Sequence, residues 1–271
     1  VADRAPAPDW PPWTAPVALI AGVVLAALGG LIVDLPALAL GVKLTSSHTP
    51  AGLAIADTFV QDLAFVAAAV FCAHLGVRRA RGWQFGLRRP RVGWLSSAGM
   101  IVLLLVAFVV LTLVWQALFH PKEEKLLEQL GSNESTALLL LSAGLTCVVA
   151  PICEEFLFRG FIFRALANWR GALPAAAMTA VLFGAVHYGS APKLDLVPLA
   201  LLGFGLCLLY RASGSLYPCM AAHSLNNSVA FASLEKWSWQ MPLLMAAALA
   251  GVGAVMLAVS RLGLSGDPVL V

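Results

Sequence analysis

Charge is scarce in this chain. Only 11% of its 271 residues are Asp, Glu, Lys or Arg, whereas 60% are hydrophobic. Soluble domains average about 25% charged and roughly 45–50% apolar residues. The apolar excess runs the whole length, which excludes an ordinary soluble domain and argues for a polytopic membrane protein. Cysteine is scarce as well: Cys72, Cys147, Cys153, Cys207 and Cys219 are odd in number, form no CxxC pair and lie in or beside apolar runs. They read as buried small residues rather than disulfides or metal ligands. The familiar hydrolase signatures are missing too. There is no HExxH, which weighs against the common zinc protease, and no GxSxG, since Arg211-Ala-Ser-Gly lacks the leading glycine. No GxGD marks an aspartyl pair; Gly266-Asp267 in the tail is the nearest approach. Asp3, Arg4 and Asp9 give the start mixed charge, and no Ala-x-Ala-like site follows the first apolar run, so that run is expected to stay in the protein. Neither an internal repeat nor a low-complexity tract is present.

What is there is a series of apolar segments. A spanning helix needs about 20 mostly apolar residues, and eight candidates stand out: 15–33, 52–77, 94–119, 137–158, 172–189, 195–211, 215–233 and 241–262. The fold class expected is an all-α polytopic membrane helix bundle, with residues 1–14 and 263–271 as tails and a single transmembrane domain between them, its catalytic half at about 137–233. A short interfacial helix is expected from Pro121 to Glu128. Arg78 to Arg91 contains six arginines. With both termini and this loop inside, 12 arginines fall on or near the cytoplasmic side and five lysines outside, as the positive-inside rule requires. That explanation leaves no need for nucleic-acid binding. Trp94, Trp115, Trp169, Trp237 and Trp239 near segment ends read as interfacial anchors. The expected location is a bacterial inner (plasma) membrane, with lipid and a membrane-associated protein or peptide as partners.

Polar residues interrupt the apolar segments at few places. Asp62 lies deep in the second segment; it is a candidate substrate-path group, but pairing with a polar neighbour is the favoured reading. Cys153-Glu154-Glu155-Phe156-Leu157-Phe158-Arg159-Gly160 puts two carboxylates and an arginine in an apolar run, where charge is costly and marks function by default. On a helix, positions i and i+4 share a face while i and i+1 diverge by about 100°. Glu155 and Arg159 can therefore pair, leaving Glu154 free for chemistry; the plain alternative is an ion pair at a helix end. Phe183 and His187 share a face, as do His223 and Asn227, with Ser224, Asn226 and Ser228 close by. So many polar groups must face protein or a water-filled cavity rather than lipid, and interhelical hydrogen bonding alone would also explain them. Together the three places supply a carboxylate, a histidine and a histidine–amide pair. That inventory suits hydrolysis by activated water: the carboxylate takes a proton, one imidazole holds the water, and the second imidazole and the amide donate to an oxyanion.

In this order, Glu154-Glu155-xxx-Arg159, Phe183-xxx-His187 and His223-xxx-Asn227 resemble the three-motif pattern of the CPBP family, the CAAX prenyl endopeptidases and bacteriocin-processing proteins also called the ABI family. Phe85-Gly-Leu-Arg88-Arg89 resembles the loop that often precedes the family's catalytic half, so the resemblance covers roughly residues 83–233. It implies an eight-helix membrane fold and an endopeptidase in which Glu154 activates water, His187 assists, His223 and Asn227 form the oxyanion hole, and Glu155 and Arg159 brace the site, with Phe183 supporting. No metal is required, and a metal-free reaction is preferred. Family members are nonetheless often labelled metalloproteases, and Glu154, His187 and His223 would be a His₂Glu zinc set. Two other readings remain: a non-enzymatic protein of the same fold, such as a bacteriocin self-immunity factor or scaffold, and a transporter relaying protons through Asp62 and the histidines. One tension accompanies the assigned spans. Glu154 falls near the cytoplasmic end of its segment and His187 near the outer end of the next, yet residues that act together must share a depth. A fourth helix running to about residue 168, bent at Pro151, would reconcile them.

Overall fold

A computed structural model describes residues 10–42, 44, 49–76, 80–121 and 126–264. The helices are α1 (Thr14–Ala39), α2 (Ala51–Gly76), α3 (Trp94–Phe119), α4 (Thr136–Arg170), α5 (Ala172–Val186), α6 (Leu196–Ser213), α7 (Leu216–Leu234) and α8 (Gln240–Arg261), with a single helical turn at Leu126–Gln129. No strand forms among the described residues. Of these helices, α1, α2, α3, α4, α6 and α8 are long and apolar enough to cross a membrane, which makes six where the sequence suggested eight. The other two differ for physical reasons. α5 has 15 residues, or about 22 Å of helix, short of a hydrocarbon core of about 30 Å. α7 is long enough at 19 residues but carries His223, Ser224, Asn226, Asn227 and Ser228.

Burial is inverted relative to a soluble protein. Leu95, Leu103 and Ile32 are 89%, 70% and 68% exposed, while Asp62, Glu155, Arg159, His223, Ser224 and Ser228 are buried. Lipid covers the first group, and only the bundle interior can satisfy the second. All five cysteines are free and buried, as expected of small core residues.

α4 is the central element and packs against α1, α2, α5, α6, α7 and α8. It is a continuous helical run from Thr136 to Arg170, ending 12 residues beyond the expected position 158. Ser135 caps its start by accepting from the Leu138 N–H at 3.2 Å. Two π-helical stretches, Leu145–Val149 and Phe156–Ile162, flank the segment Ala150–Glu155. Such stretches interrupt the regular register and recur at functional sites. α1 also runs further than expected, to Ala39 with Pro36 inside it, whereas α3 spans the 94–119 read from the sequence.

Two tight connections set the depths. Gly171, at φ +79°, separates α4 from α5 with a single residue. Glu154 lies 17 residues before it and His187 16 residues after it, so the two return to the same depth. The same count brings Arg159 and Phe183 level, each 12 residues from the turn. Gly214, at φ +68°, ends α6, and Ser215 caps α7. Small residues then let the helices close. A Cβ on Gly184 would lie 2.6 Å from the Leu196 carbonyl oxygen, so α5 meets α6 through bare backbone there. Gly184→Ala is expected to destabilise the protein by about 1–3 kcal/mol, read as a lower thermal midpoint in detergent; an unchanged midpoint would refute the close contact.

The described part of the arginine-rich loop folds onto one end of the bundle. Arg88 Nε donates to the Gly214 carbonyl at 2.9 Å, and Arg91 Nε to that of Ala212 at 3.0 Å. Arg164 donates to the Tyr210 hydroxyl at 2.7 Å, and that hydroxyl donates to the Phe85 carbonyl at 3.2 Å. Trp10 packs with tilted rings against Phe85 and Phe161. Arg88, Arg91, Arg164 and Arg211 thus gather at one end, but Arg159 does not: it is fully buried within the bundle. Of the expected interfacial helix, only Leu126–Gln129 falls within the described residues as a helical turn, and 122–125 lie outside them. Arg4, Arg78, Arg79 and Lys43 also lie outside, as does most of each expected tail.

Candidate active site

Glu154 and Glu155 leave α4 in different directions, as neighbours on a helix must. Glu155 turns fully inward. Its Oε1 accepts from Arg159 Nη1 at 2.6 Å, one turn on, and from His223 Nδ1 of α7 at 2.9 Å. Arg159 is as deeply buried and is held from three sides. Its Nη2 donates to the Gly203 carbonyl of α6 at 3.0 Å, and its guanidinium sits 4.5 Å from the centre of the Phe183 ring of α5. Charge, amide dipole and ring face together replace water around the cation. A Cβ on Gly203 would come within 3.0 Å of Phe183, so a glycine lets the ring lie against α6.

Glu154 points to the place where the two imidazoles converge. Its Oε2 is 4.0 Å from His187 Nε2 and 3.9 Å from His223 Nε2. The distal nitrogens fix both rings. His187 Nδ1 is 2.7 Å from the Phe183 carbonyl oxygen, which can only accept, so that nitrogen carries hydrogen. His223 Nδ1 faces the Glu155 carboxylate and carries hydrogen for the same reason. Both histidines therefore present Nε2 to Glu154, and Phe183 packs against both rings, at 4.9 and 5.6 Å between centroids. Glu154 and His187 retain 13% and 22% side-chain exposure, whereas Glu155 and Arg159 retain none. The pair facing the gap can be reached from outside, and the bracing pair cannot.

Asn227 is placed differently. Its Nδ2 donates to the Thr146 carbonyl at 3.0 Å, in the first π-helical stretch of α4, and its Oδ1 accepts from Asn226 at 3.3 Å. Among the described residues no hydrogen bond joins it to Glu154, His187 or His223. Its amide retains a second N–H. Asp62 corrects the sequence reading. The carboxyl is buried at 1% exposure and neither oxygen has a hydrogen-bond partner among the described residues, so the expected pairing is not formed among them. It stands in α2, which packs against the Ala150–Glu155 stretch of α4. Thr146 and Gly203 were not singled out from the sequence. Each contributes a backbone carbonyl, which leaves no mark in residue identity.

The family model for Rce1-like, type II CAAX prenyl endopeptidases matches residues 136–229. This is the family that the motifs resemble. The matched segment starts on the first residue of α4 and ends in α7, two residues past Asn227, so it contains Glu154, Glu155, Arg159, Phe183, His187, His223 and Asn227. The α1–α2 hairpin, α3 and α8 lie outside it. No curated protein and no solved structure matches the chain.

Proposed function

We propose that this multi-pass membrane protein is an intramembrane endopeptidase of the CPBP type, in which Glu154 and His187 activate water and His223 and Asn227 bind the oxyanion. One observation carries the reading: the Glu154 Oε2 atom faces the Nε2 atoms of two histidines across gaps of 3.9–4.0 Å, with both distal nitrogens already committed. Two acceptors about 4 Å apart can each take one hydrogen bond of roughly 2.8 Å from a single water. Glu154 removes a proton from that water as its oxygen attacks the scissile carbonyl carbon, then delivers the proton to the leaving nitrogen as the C–N bond breaks. The products are a carboxylic acid and an amine.

His223 can donate to the oxyanion only through Nε2–H. Its Nδ1–H already serves Glu155, so the donor is the imidazolium. Asn227 supplies its second N–H. Glu155 and Arg159 act through His223 and are positioning residues.

The zinc alternative uses the same Glu154, His187 and His223. Bonds of about 2.0–2.1 Å around a tetrahedral ion hold ligand atoms roughly 3.4 Å apart. The gaps here are wider, and they suit hydrogen-bonded water better than a bonded ion. The proposed reaction is metal-free. Exhaustive treatment of the purified protein with a chelator is expected to leave the cleavage rate unchanged within about twofold. Loss of activity restored by zinc would overturn this.

The arginine-rich end is proposed to be cytoplasmic, in a bacterial inner membrane, with both termini on that side. A substrate anchored in the bilayer at one end is expected, and a prenylated CAAX-type tail is one such substrate. The direct test uses the protein in lipid vesicles and a quenched-fluorescence peptide ending in prenyl-Cys-Ala-Ala-Leu. Cleavage into two peptides, mapped by mass spectrometry, supports the reading. An intact peptide, together with unchanged membrane proteomes in cells lacking the protein, would leave a non-enzymatic role.

A further inference from the structure

Behind the helix that carries His223 the bundle leaves a groove. α3 and α8 each pack against α7, but they hardly meet each other. The gap between them is a cavity of about 250 Å³, lined by Trp94 and Ile101 of α3, Tyr217 and Ala221 of α7, and Leu249 and Met256 of α8. Apolar cavities stay dry and take apolar guests. The flanking faces of α3 and α8 are lipid-exposed, as at Leu103 and Leu257, so bilayer hydrocarbon can enter. A helix turns by about 100° per residue, which puts Tyr217 and Ala221 roughly 120° and 160° around α7 from His223. His223 itself faces α4 through Glu155. The groove therefore lies on the side of α7 turned away from Glu154, and its guest is not the chain being cut.

One end of the groove is cationic. Arg91 stands three residues before Trp94, and Gly214 three before Tyr217. The two meet: a Cβ on Gly214 would lie 3.4 Å from Arg91 Cδ and 3.4 Å from Arg88 Nη2. Two guanidinium groups thus converge where α3 and α7 both begin. Arg91 is fixed there by donating from Nε to the Ala212 carbonyl at 3.0 Å and from Nη2 to that of Arg211. An arginine has five N–H groups, so donors remain for a ligand, and Arg91 is exposed. In the groove wall the Tyr217 hydroxyl is buried with no hydrogen-bond partner among the described residues.

An anionic phospholipid answers each of these features. Its acyl chain fills the cavity, its phosphate meets the arginines, and its ester carbonyl can accept from the tyrosine. A choline headgroup would instead set a second cation against the first. We propose that the groove between α3, α7 and α8 binds one anionic phospholipid, with an acyl chain between Ile101 and Leu249 and the phosphate at Arg91 beside Arg88. Basic pockets between spanning helices hold such headgroups. The lipid fills the space that α3 and α8 leave open and backs the helix that presents His223. This site does not depend on the endopeptidase reading.

The test titrates the purified full chain, in non-ionic detergent, with dioleoyl phosphatidylglycerol or dioleoyl phosphatidylcholine and counts bound lipid by native mass spectrometry. The wild-type protein is expected to bind the glycerol lipid about 5- to 30-fold more tightly, since each arginine near a membrane surface contributes roughly a factor of five. Glycerol 3-phosphate, the same anion without chains, should not displace it at equal concentration. These two arms need no variant. Gly253→Leu projects a side chain from α8 where a Cβ meets nothing within 4 Å, so it fills the groove without a clash. It should weaken both lipids by more than about tenfold, the effect of losing a buried apolar chain segment. Arg91→Gln should lower the preference for the glycerol lipid about fivefold while leaving the choline lipid unchanged; the readout is a ratio, so a general loss of stability does not imitate it. Equal binding of the two lipids would overturn the proposal. So would displacement by glycerol 3-phosphate, which would mark a plain anion site, or wild-type lipid binding by Gly253→Leu, which would place the lipid elsewhere on the arginine-rich end.

Discussion

Glu154→Gln is expected to lower the cleavage rate by about 10²- to 10⁴-fold, the contribution of a positioned general base, while the protein stays folded. Glutamine matches the size of the side chain and can still hydrogen-bond, but it cannot take a proton from water. Glu154 also makes no hydrogen bond through Oε2 in the fold, so little structure depends on it. Stability and activity should separate: the thermal midpoint in detergent should match wild type, and the initial rate should collapse. In cells, membrane proteomes of the wild type and of Glu154→Gln should differ by the accumulation of uncleaved precursors in the variant. A variant with full activity would remove Glu154 from the chemistry and, with it, the endopeptidase reading. His187→Ala should behave alike with a smaller loss, because its ring is tied only to its own helix through Phe183.

How much of this was legible in the sequence depends on what kind of signal each feature leaves. Apolar runs bounded by turns were read well: the α3 run matches residue for residue, and α2, α6, α7 and α8 agree within about two residues at each end. The C-terminal part of α4 was not. Hydropathy stops at charge, and Arg159, Arg164, Asn168 and Arg170 lower it while the backbone stays helical. Arg159 is compatible with the interior only because Glu155, the Gly203 carbonyl and the Phe183 ring surround it, and two of these come from other helices. The missing length caused the apparent mismatch in depth between Glu154 and His187, which the count from Gly171 removes. The i, i+4 rule identified the Glu155–Arg159 pair and left Glu154 apart, which is where the side chains lie. The same rule could say nothing of Glu155 meeting His223, a contact 68 positions apart. For Asp62 the general expectation that buried acids pair pointed the wrong way. A buried carboxyl without a hydrogen-bond partner and one paired within the protein look alike in sequence.

Glu155 and Arg159 allow stability and chemistry to be told apart in a second way. Arg159→Leu removes the cation and leaves Glu155 buried at 0% exposure with only His223 as a charged partner. Breaking a buried ion pair from one side typically costs about 3–5 kcal/mol, whereas replacing both members by apolar residues is often neutral or stabilising. Glu155→Leu combined with Arg159→Leu should therefore recover at least half of the stability lost in Arg159→Leu. It should not recover activity. With Glu155 gone, His223 Nδ1 has no carboxylate to hold the ring, and with His223 as the proposed oxyanion donor the cleavage rate should stay down by about 10²- to 10³-fold, the range for one such donor. Chemical denaturation in mixed micelles gives the first quantity, and initial rates on the prenylated peptide give the second. A double variant no more stable than Arg159→Leu would mean that the pair holds the helices together through something other than mutual neutralisation. A double variant that cleaves at the wild-type rate would mean that His223 needs no acidic partner, and that Glu155 serves the fold alone.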